Sequence, residues 1–310
     1  MSRCFLAHSI AISPILCNFE KMTCLPCPIT ETRRKSNNWI RTDYLTKKTL
    51  SLKFKQLQFQ IIMTQNQAVI ETIEMLGGVA TLGEINANIF KIKECRWGTK
   101  TPFASIRRIV RHTDGLFRIK PGLYGLDKYR KVIEQRGIIV QTEANKDSPE
   151  VRQFTHYYYQ GLLVTIGNLR NLQTYIPSQD KNRIFKDGRK LCELASLPDQ
   201  PHYSYDSFVH RSSTIDVIWF NKRNMPHTFF EVEHSTDIQN SLLKFNDLQD
   251  FSARMVIVAD QKRFEEFKSK MSYHAFEELK EHRRVTFLNY EELDKQYDME
   301  LARKDFRMII

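Results

Sequence analysis

Apolar positions recur at helical spacing at Val69, Ile70, Ile73 and Leu76, and Gly77-Gly78 ends the run. Thr81-Leu-Gly-Glu84 has capping-box spacing and opens a second helix with Ile85, Ile89 and Ile92 inward. A third helix is predicted from Thr101, with Pro102 in its first turn and Phe103, Ile106, Ile109 and Val110 as its apolar face. Gly115–Leu126 then reads as two short strands turning at Pro121-Gly122. Three helices and a hairpin predict a winged helix-turn-helix over residues 65–136. Residues 141–152 are polar and contain Pro149, so 137–153 reads as a linker.

The apolar pattern resumes at Phe154. His156–Leu169 is predicted helical, with Leu162, Leu163, Ile166 and Leu169 inward. Leu172–Ile176 and Cys192–Leu197 read as short strands. Two longer β-type runs follow, Ser213–Phe220 and His227–Thr236. Ser235-Thr236-Asp237 caps a helix with Ile238, Leu242, Phe245 and Leu248 inward. Met255–Ala259 is continuously apolar, as a strand covered on both faces should be. Asp260 caps another helix, Val285–Leu288 is a further strand, and Asn289 caps the last helix. The predicted fold class is α/β: the winged helix-turn-helix, then a mixed β-sheet flanked by helices over 154–298, then a tail over 299–310.

The chemistry concentrates on one predicted hairpin. Glu231 and Glu233 are two apart and share a strand face, while Val232 points the other way. Pairing about positions 223–224 sets Asp216 opposite Glu231–Glu233. Carboxylates that close repel one another and call for a cation or a proton, and an all-oxygen set suits Mg²⁺, with Mn²⁺ as the alternative. Lys244 lies on one face of the following helix, and Asp180-Lys181-Asn-Arg183 is placed to line the same cleft. His274 and His282 are expected at the surface, as is Gln160 unless it supports the acidic site from behind; Tyr157–Tyr159 are expected in packing, and His234 on the strand face away from Glu233.

Composition adds two points. The chain carries 47 Lys/Arg against 36 Asp/Glu, a net charge of +11. Ten of those cations and three of the acids lie in residues 1–62, so that stretch holds +7 and the rest only +4. Residues 1–62 read as a mis-assigned or disordered N-terminal extension before a start at Met63, with a basic nucleic-acid-binding arm as the competing reading. Cys24 and Cys27 have zinc-ligand spacing but no matching second pair, and the two isolated cysteines of the body fit a reducing, cytoplasmic compartment. No apolar run is long enough to span a membrane.

Two resemblances follow. Leu76–Ile85, Thr101–Arg108 and Phe117–Tyr124 together resemble the HARE-type winged helix-turn-helix of chromatin proteins and of some bacterial restriction endonucleases. That likeness implies engagement of double-stranded DNA; the winged-helix reading itself offers Lys100, Thr101, Ser105, Arg107, Arg108, Arg111, Arg118 and Lys120 as contacts, with a protein-docking winged helix whose basic face is only solvated as the alternative. The acidic hairpin, with Phe230-Glu-Val-Glu-His-Ser-Thr236, resembles the restriction-endonuclease-like PD-(D/E)xK nucleases in a D-x14-E-x-E variant. By that resemblance Asp216, Glu231 and the Val232 carbonyl bind Mg²⁺, and Glu233 stands at the usual lysine position. Lys244 would replace the lysine charge. The implied activity is a Mg²⁺-dependent DNA endonuclease of restriction or defence type. A separate methyltransferase and a homodimer are compatible partners. The rival readings are a DNA-binding regulator with a decayed nuclease fold, and a nuclease acting on RNA or repair intermediates.

Overall fold

A computed structural model describes residues 63–146 and 148–307, with side chains to Arg303, all within the compact unit Phe59–Ile310. The expectations for residues 1–62, including the Cys24/Cys27 pair, lie outside the described residues. Among the described residues no helix is long and apolar enough to cross a membrane. The chain is mixed α/β with two sheets.

The first sheet is small. Helix α1, Gln65–Met75, starts at a Thr64/Gln67 capping box. Strand β1, Val79–Thr81, was not expected; it leads into α2, Leu82–Asn88. The predicted box is present there: Glu84 N–H bonds Thr81 Oγ1 at 3.1 Å, and Thr81 N–H bonds Glu84 Oε2 at 2.8 Å. Helix α3, Pro102–His112, buries Ile106 and Val110 but leaves Phe103 exposed and Ile109 half-buried. Strands β2, Leu116–Lys120, and β3, Leu123–Leu126, form the hairpin, and the antiparallel order is β1-β3-β2. Gly122 at the turn has φ +81°, the left-handed region that glycine enters freely. A short helix α4, Arg130–Gln135, follows.

The second sheet has five strands in order β4-β5-β6-β7-β8. These are Gln173–Tyr175, Val217–Phe220, Pro226–Glu233, Arg254–Ala259 and Val285–Asn289. The first three pair antiparallel and the last three parallel. The alternation of each strand divides two apolar layers. Val217, Trp219, Phe230 and Val232 face α5, Pro149–Leu169, and α11, Tyr290–Arg307. Ile218, Phe220, Phe229 and Ile257 face the opposite layer, which includes Ile238, Leu242 and Phe245 of α8, Ile238–Asn246, and Phe267 of α9, Phe264–Met271.

Three secondary-structure expectations change. Leu191–Leu194 is a helical turn, α6, where a strand was expected: Glu193 caps the Lys190 N–H, and a four-residue apolar run cannot by itself distinguish the two. Helix α7, Asp206–Ser212, was not expected, whereas α10, Glu277–Glu281, lies between His274 and His282 in a charged stretch. Residues 299–307, expected as a tail, continue α11, where Glu300 is buried against Arg170.

The two sheets share apolar contacts. Val79, Ile119, Leu123 and Ile133 belong to the same cluster as Phe154, Leu162 and Tyr297. Ile138 of the expected linker is buried in it, and Ser148 caps α5. At the seam Lys186 Nζ bonds both Glu84 oxygens, at 2.5 and 2.6 Å, and Tyr297 donates to Oε1 at 2.6 Å.

Candidate functional site

The site is built at the C-terminal end of β6. Val217 pairs with Phe230, so the register is centred where the sequence placed it, and a shift appears only beyond Trp219. Asp216 therefore lies beside Val232 and accepts its N–H on Oδ2 at 2.7 Å. Val232 is buried on the α5 side, so Glu231 and Glu233 project toward α8. There Ser241 Oγ lies 3.0 Å from Glu231 Oε2 and also reaches Glu233. A hydroxyl carries one proton, so it serves one carboxylate at a time. Lys244 Nζ contacts both Glu231 oxygens, at 3.0 and 2.9 Å, and the Thr214 carbonyl at 3.0 Å. The Thr236 hydroxyl donates to Glu233, and Arg263 stands 3.9 Å from Glu233 Oε2.

On the other side of Asp216 stand residues from α5 and from the loop after β4. His156 Nε2 is 3.7 Å from Asp216 Oδ1, and its Nδ1 is 3.0 Å from the Val232 carbonyl. Gln160 is fully buried and donates to Asp180 Oδ2 at 2.9 Å and to the Asp216 carbonyl at 3.3 Å. The surface position expected for Gln160 is therefore wrong. His156 and Gln160 are four apart on α5 and share one helix face, which brings both to the strand end. Ligand atoms of His156, Asp180 and Asp216 all lie within 4.8 Å of one another, the one such group of three His, Cys, Asp or Glu among the described residues. The acids thus gather in two halves: Glu231 and Glu233 around Ser241, and Asp216 with Asp180 and His156.

Burial dominates the electrostatics. It pushes the Asp216 carboxyl up to about 7, although the Val232 N–H and Lys244 oppose it. It pushes Glu231 up to about 8, with the charge of Asp216 adding to the rise and the charge and hydrogen bond of Lys244 opposing it. Burial also lowers His156, against the pull of Asp180. Four carboxylates, Asp180, Asp216, Glu231 and Glu233, are at most 8% exposed. Two cations, Lys244 and Arg263, form ion pairs with them. Arg263 is also held by Glu266 at 2.8 Å, so the buried acids outnumber the cations beside them, an imbalance that protons or a divalent cation would relieve.

Asp216, Glu231, Glu233 and His156 line a cleft of about 370 Å³, with Arg152, Asn240 and Lys244 on its walls. A cavity of about 420 Å³ on the other face of the sheet, beside Trp219 and Arg254, holds none of the acids. Of the other residues expected at the cleft, Lys181 pairs with Asp199 and Arg183 lies over the Tyr157 ring at 4.9 Å. His234 lies beside the Tyr290 hydroxyl at 3.3 Å. The sequence reading did not single out His156, Ser241 or Arg263. One signal was available: Arg152, His156 and Gln160 form a polar stripe at four-residue spacing on a largely apolar helix.

Around the small sheet, Lys100, Thr101, Arg107, Arg108, Arg111 and Arg118 are exposed and Ser105 is half-buried. Lys120, expected on DNA, is buried instead. Its Nζ bonds Tyr159 Oη at 2.8 Å and sits 3.7 Å from the centre of the Tyr158 ring. The register shifts between Arg118 and Lys120, and this irregularity turns Lys120 inward.

Residues 138–308 match the family described as the type II restriction enzyme NmeDI C-terminal domain. Over 124 residues the chain is 30% identical to the type II restriction enzyme NmeDI of Neisseria meningitidis serogroup C. That alignment covers 36% of this chain and 35% of the relative, so the chain spans about a third of the length of the curated relative it matches. No solved structure matches.

Proposed function

The chain belongs to the family of the type II restriction enzyme NmeDI C-terminal domain, and from that premise we propose that it is a metal-dependent DNA endonuclease of restriction type cutting at the β6 cleft. The observation that carries this reading is the excess of buried carboxylate at the strand end. Asp216, Glu231 and the Val232 carbonyl are the proposed holders of Mg²⁺. Their oxygens suit a hard divalent ion, and burial raises Asp216 and Glu231 despite the Lys244 ammonium beside them, so a further positive partner would be accommodated there. When bound, the ion supplies charge to the phosphoryl oxygen and acidifies water.

The remaining roles fall to this chain's own side chains. Lys244 holds Glu231 in place and carries an ammonium on the cleft wall, where it offsets phosphate charge. Glu233, oriented by Thr236 and Ser241, is the proposed acceptor that orients the attacking water. Arg152 on the opposite wall positions the backbone phosphate. The helix–hairpin unit of residues 65–136 supports a winged-helix reading, in which α3 presents Arg107, Arg108 and Arg111 to double-stranded DNA.

The rival regulator reading draws on one contact: Lys244 already engages both oxygens of Glu231. Cleavage of supercoiled plasmid in Mg²⁺ or Mn²⁺ against EDTA separates the two. The expected result is metal-dependent cutting that Glu231→Ala lowers about 10³-fold or more, equal to ~4 kcal/mol of barrier. A folded protein that shifts DNA on a gel without cutting it supports the regulator.

A further inference from the structure

The Mg²⁺ reading leaves His156 and Asp180 without a task, and their geometry is specific. A carbonyl oxygen only accepts, so the 3.0 Å contact between His156 Nδ1 and the Val232 carbonyl requires the proton on Nδ1. In the neutral ring Nε2 then holds a lone pair. That lone pair looks at Asp216 Oδ1 from 3.7 Å, beyond hydrogen-bond length, so the pair is not joined by a hydrogen bond. Asp180 closes the third side. It is buried, its carboxylate receives the Gln160 amide, and among the described residues no salt bridge neutralises it. Gln160 Oε1, beside it, is itself buried without a hydrogen-bond partner.

We propose that His156 Nε2 and the carboxylates of Asp180 and Asp216 bind a divalent transition-metal ion of the Mn²⁺ or Co²⁺ class. A metal-bound histidine characteristically donates its other ring N–H to a backbone carbonyl or carboxylate, which fixes the tautomer and aims the lone pair; the Val232 carbonyl does this here. Ligands at ~2.1 Å from one ion stand at most ~4.2 Å apart, so a set already within 4.8 Å closes on an ion by small side-chain rotations. One imidazole and two carboxylates suit Mn²⁺ or Co²⁺ better than Mg²⁺, which favours oxygen alone. The ion shares Asp216 with the proposed Mg²⁺ set, so its use in cleavage rests on the nuclease reading, whereas its binding does not.

Co²⁺ is the probe. The EDTA-treated full chain is titrated with CoCl₂ and followed by visible absorption, with Mg²⁺ as competitor. The variants are His156→Phe, which keeps the ring contact with Tyr157, Asp180→Asn, and Glu231→Gln as the control on the other half. The expected result is one saturable Co²⁺ site that Mg²⁺ displaces poorly. His156→Phe and Asp180→Asn each weaken it about 10- to 100-fold, and Glu231→Gln weakens it less. Absence of a saturable site in the folded protein overturns the proposal, as does binding that Glu231→Gln removes but the first two variants leave intact. Thermal melts establish folding, and if His156→Phe does not fold, Asp180→Asn decides. Plasmid cleavage in Mg²⁺ is read separately, so failure of the metal site and failure of the nuclease reading are distinguishable.

Discussion

Glu84 and Glu231 are both buried carboxylates with a lysine ammonium on both oxygens, yet their protons respond in opposite directions. Burial pushes Glu84 up, but Lys186, Tyr297 and the Thr81 N–H outweigh it and hold the carboxyl below its usual value. Burial pushes Glu231 up as well, and there it prevails over Lys244, with the neighbouring Asp216 adding to the rise. In the first case one cation and two further donors hold the acid directly, although its charge in turn helps to raise Asp298 nearby. In the second, four acids share two cations. A balanced buried pair ties two parts of a fold together, whereas an unbalanced cluster is stable only with another positive partner. The seam at Glu84 is therefore structural, and the strand end at Glu231 is where chemistry is expected.

The largest break of this comparison is at the seam. Lys186→Met leaves Glu84 buried with no counter-charge. A loss of about 3–5 kcal/mol of unfolding free energy is expected, read from urea denaturation. Glu231→Gln should cost far less, because it removes a charge from a cluster that has too many. Equal losses from the two variants would erase the distinction between seam and site.

A smaller effect, of opposite sign in the two regions, comes from pH. Glu84 is lowered in the folded state, so its contribution is present above the unfolded value near 4.5 and is lost as pH falls. Asp216 and Glu231 are raised, to about 7 and about 8. Their contribution is full below the unfolded values and is lost as pH rises through 7 to 8. In EDTA the protein should therefore lose stability from pH 6 to pH 8.5, and Glu231→Gln should flatten that slope. Added Mn²⁺ should flatten it too, since an ion bound to the folded state replaces the missing charge. A metal-free melting temperature that climbs across this range would contradict the assigned imbalance.

Much of this contrast was legible in the sequence, and the missing part has a physical cause. The Thr81/Glu84 box and the 223–224 symmetry are local, fixed by backbone hydrogen bonding and strand alternation. They gave the entry to α2 and the placement of Asp216, Glu231 and Glu233. Lys244 also follows from local spacing, since α8 packs against the strand that precedes it. Lys186 lies 102 residues from Glu84, and no periodicity links them. His156 is 76 residues from the carbonyl it bonds, and Asp180 sits in a loop whose path only the tertiary fold sets. Lys120 misled for another reason: one register shift turned an outward basic residue into an inward one.

Lys120 also supplies the finest test, because it is a buried cation beside a surface of exposed ones. Burial holds its ammonium down at about 8, with Asp294 pulling the other way. It is enclosed by Tyr158 and Tyr159 and cannot reach a phosphate without leaving them. Arg107 and Arg108 are exposed on α3. If α3 meets DNA, each arginine that neutralises a phosphate contributes about 0.9 to the slope of log affinity against log salt. Arg108→Gln should lower that slope by about one, while Lys120→Met should leave it unchanged within error. The readout is DNA affinity by fluorescence anisotropy across a salt series without metal, so that cutting does not intervene. A slope lowered by Lys120→Met and untouched by Arg108→Gln would place the DNA on a different face, and the charges around the small sheet would have to be divided again between seam and surface.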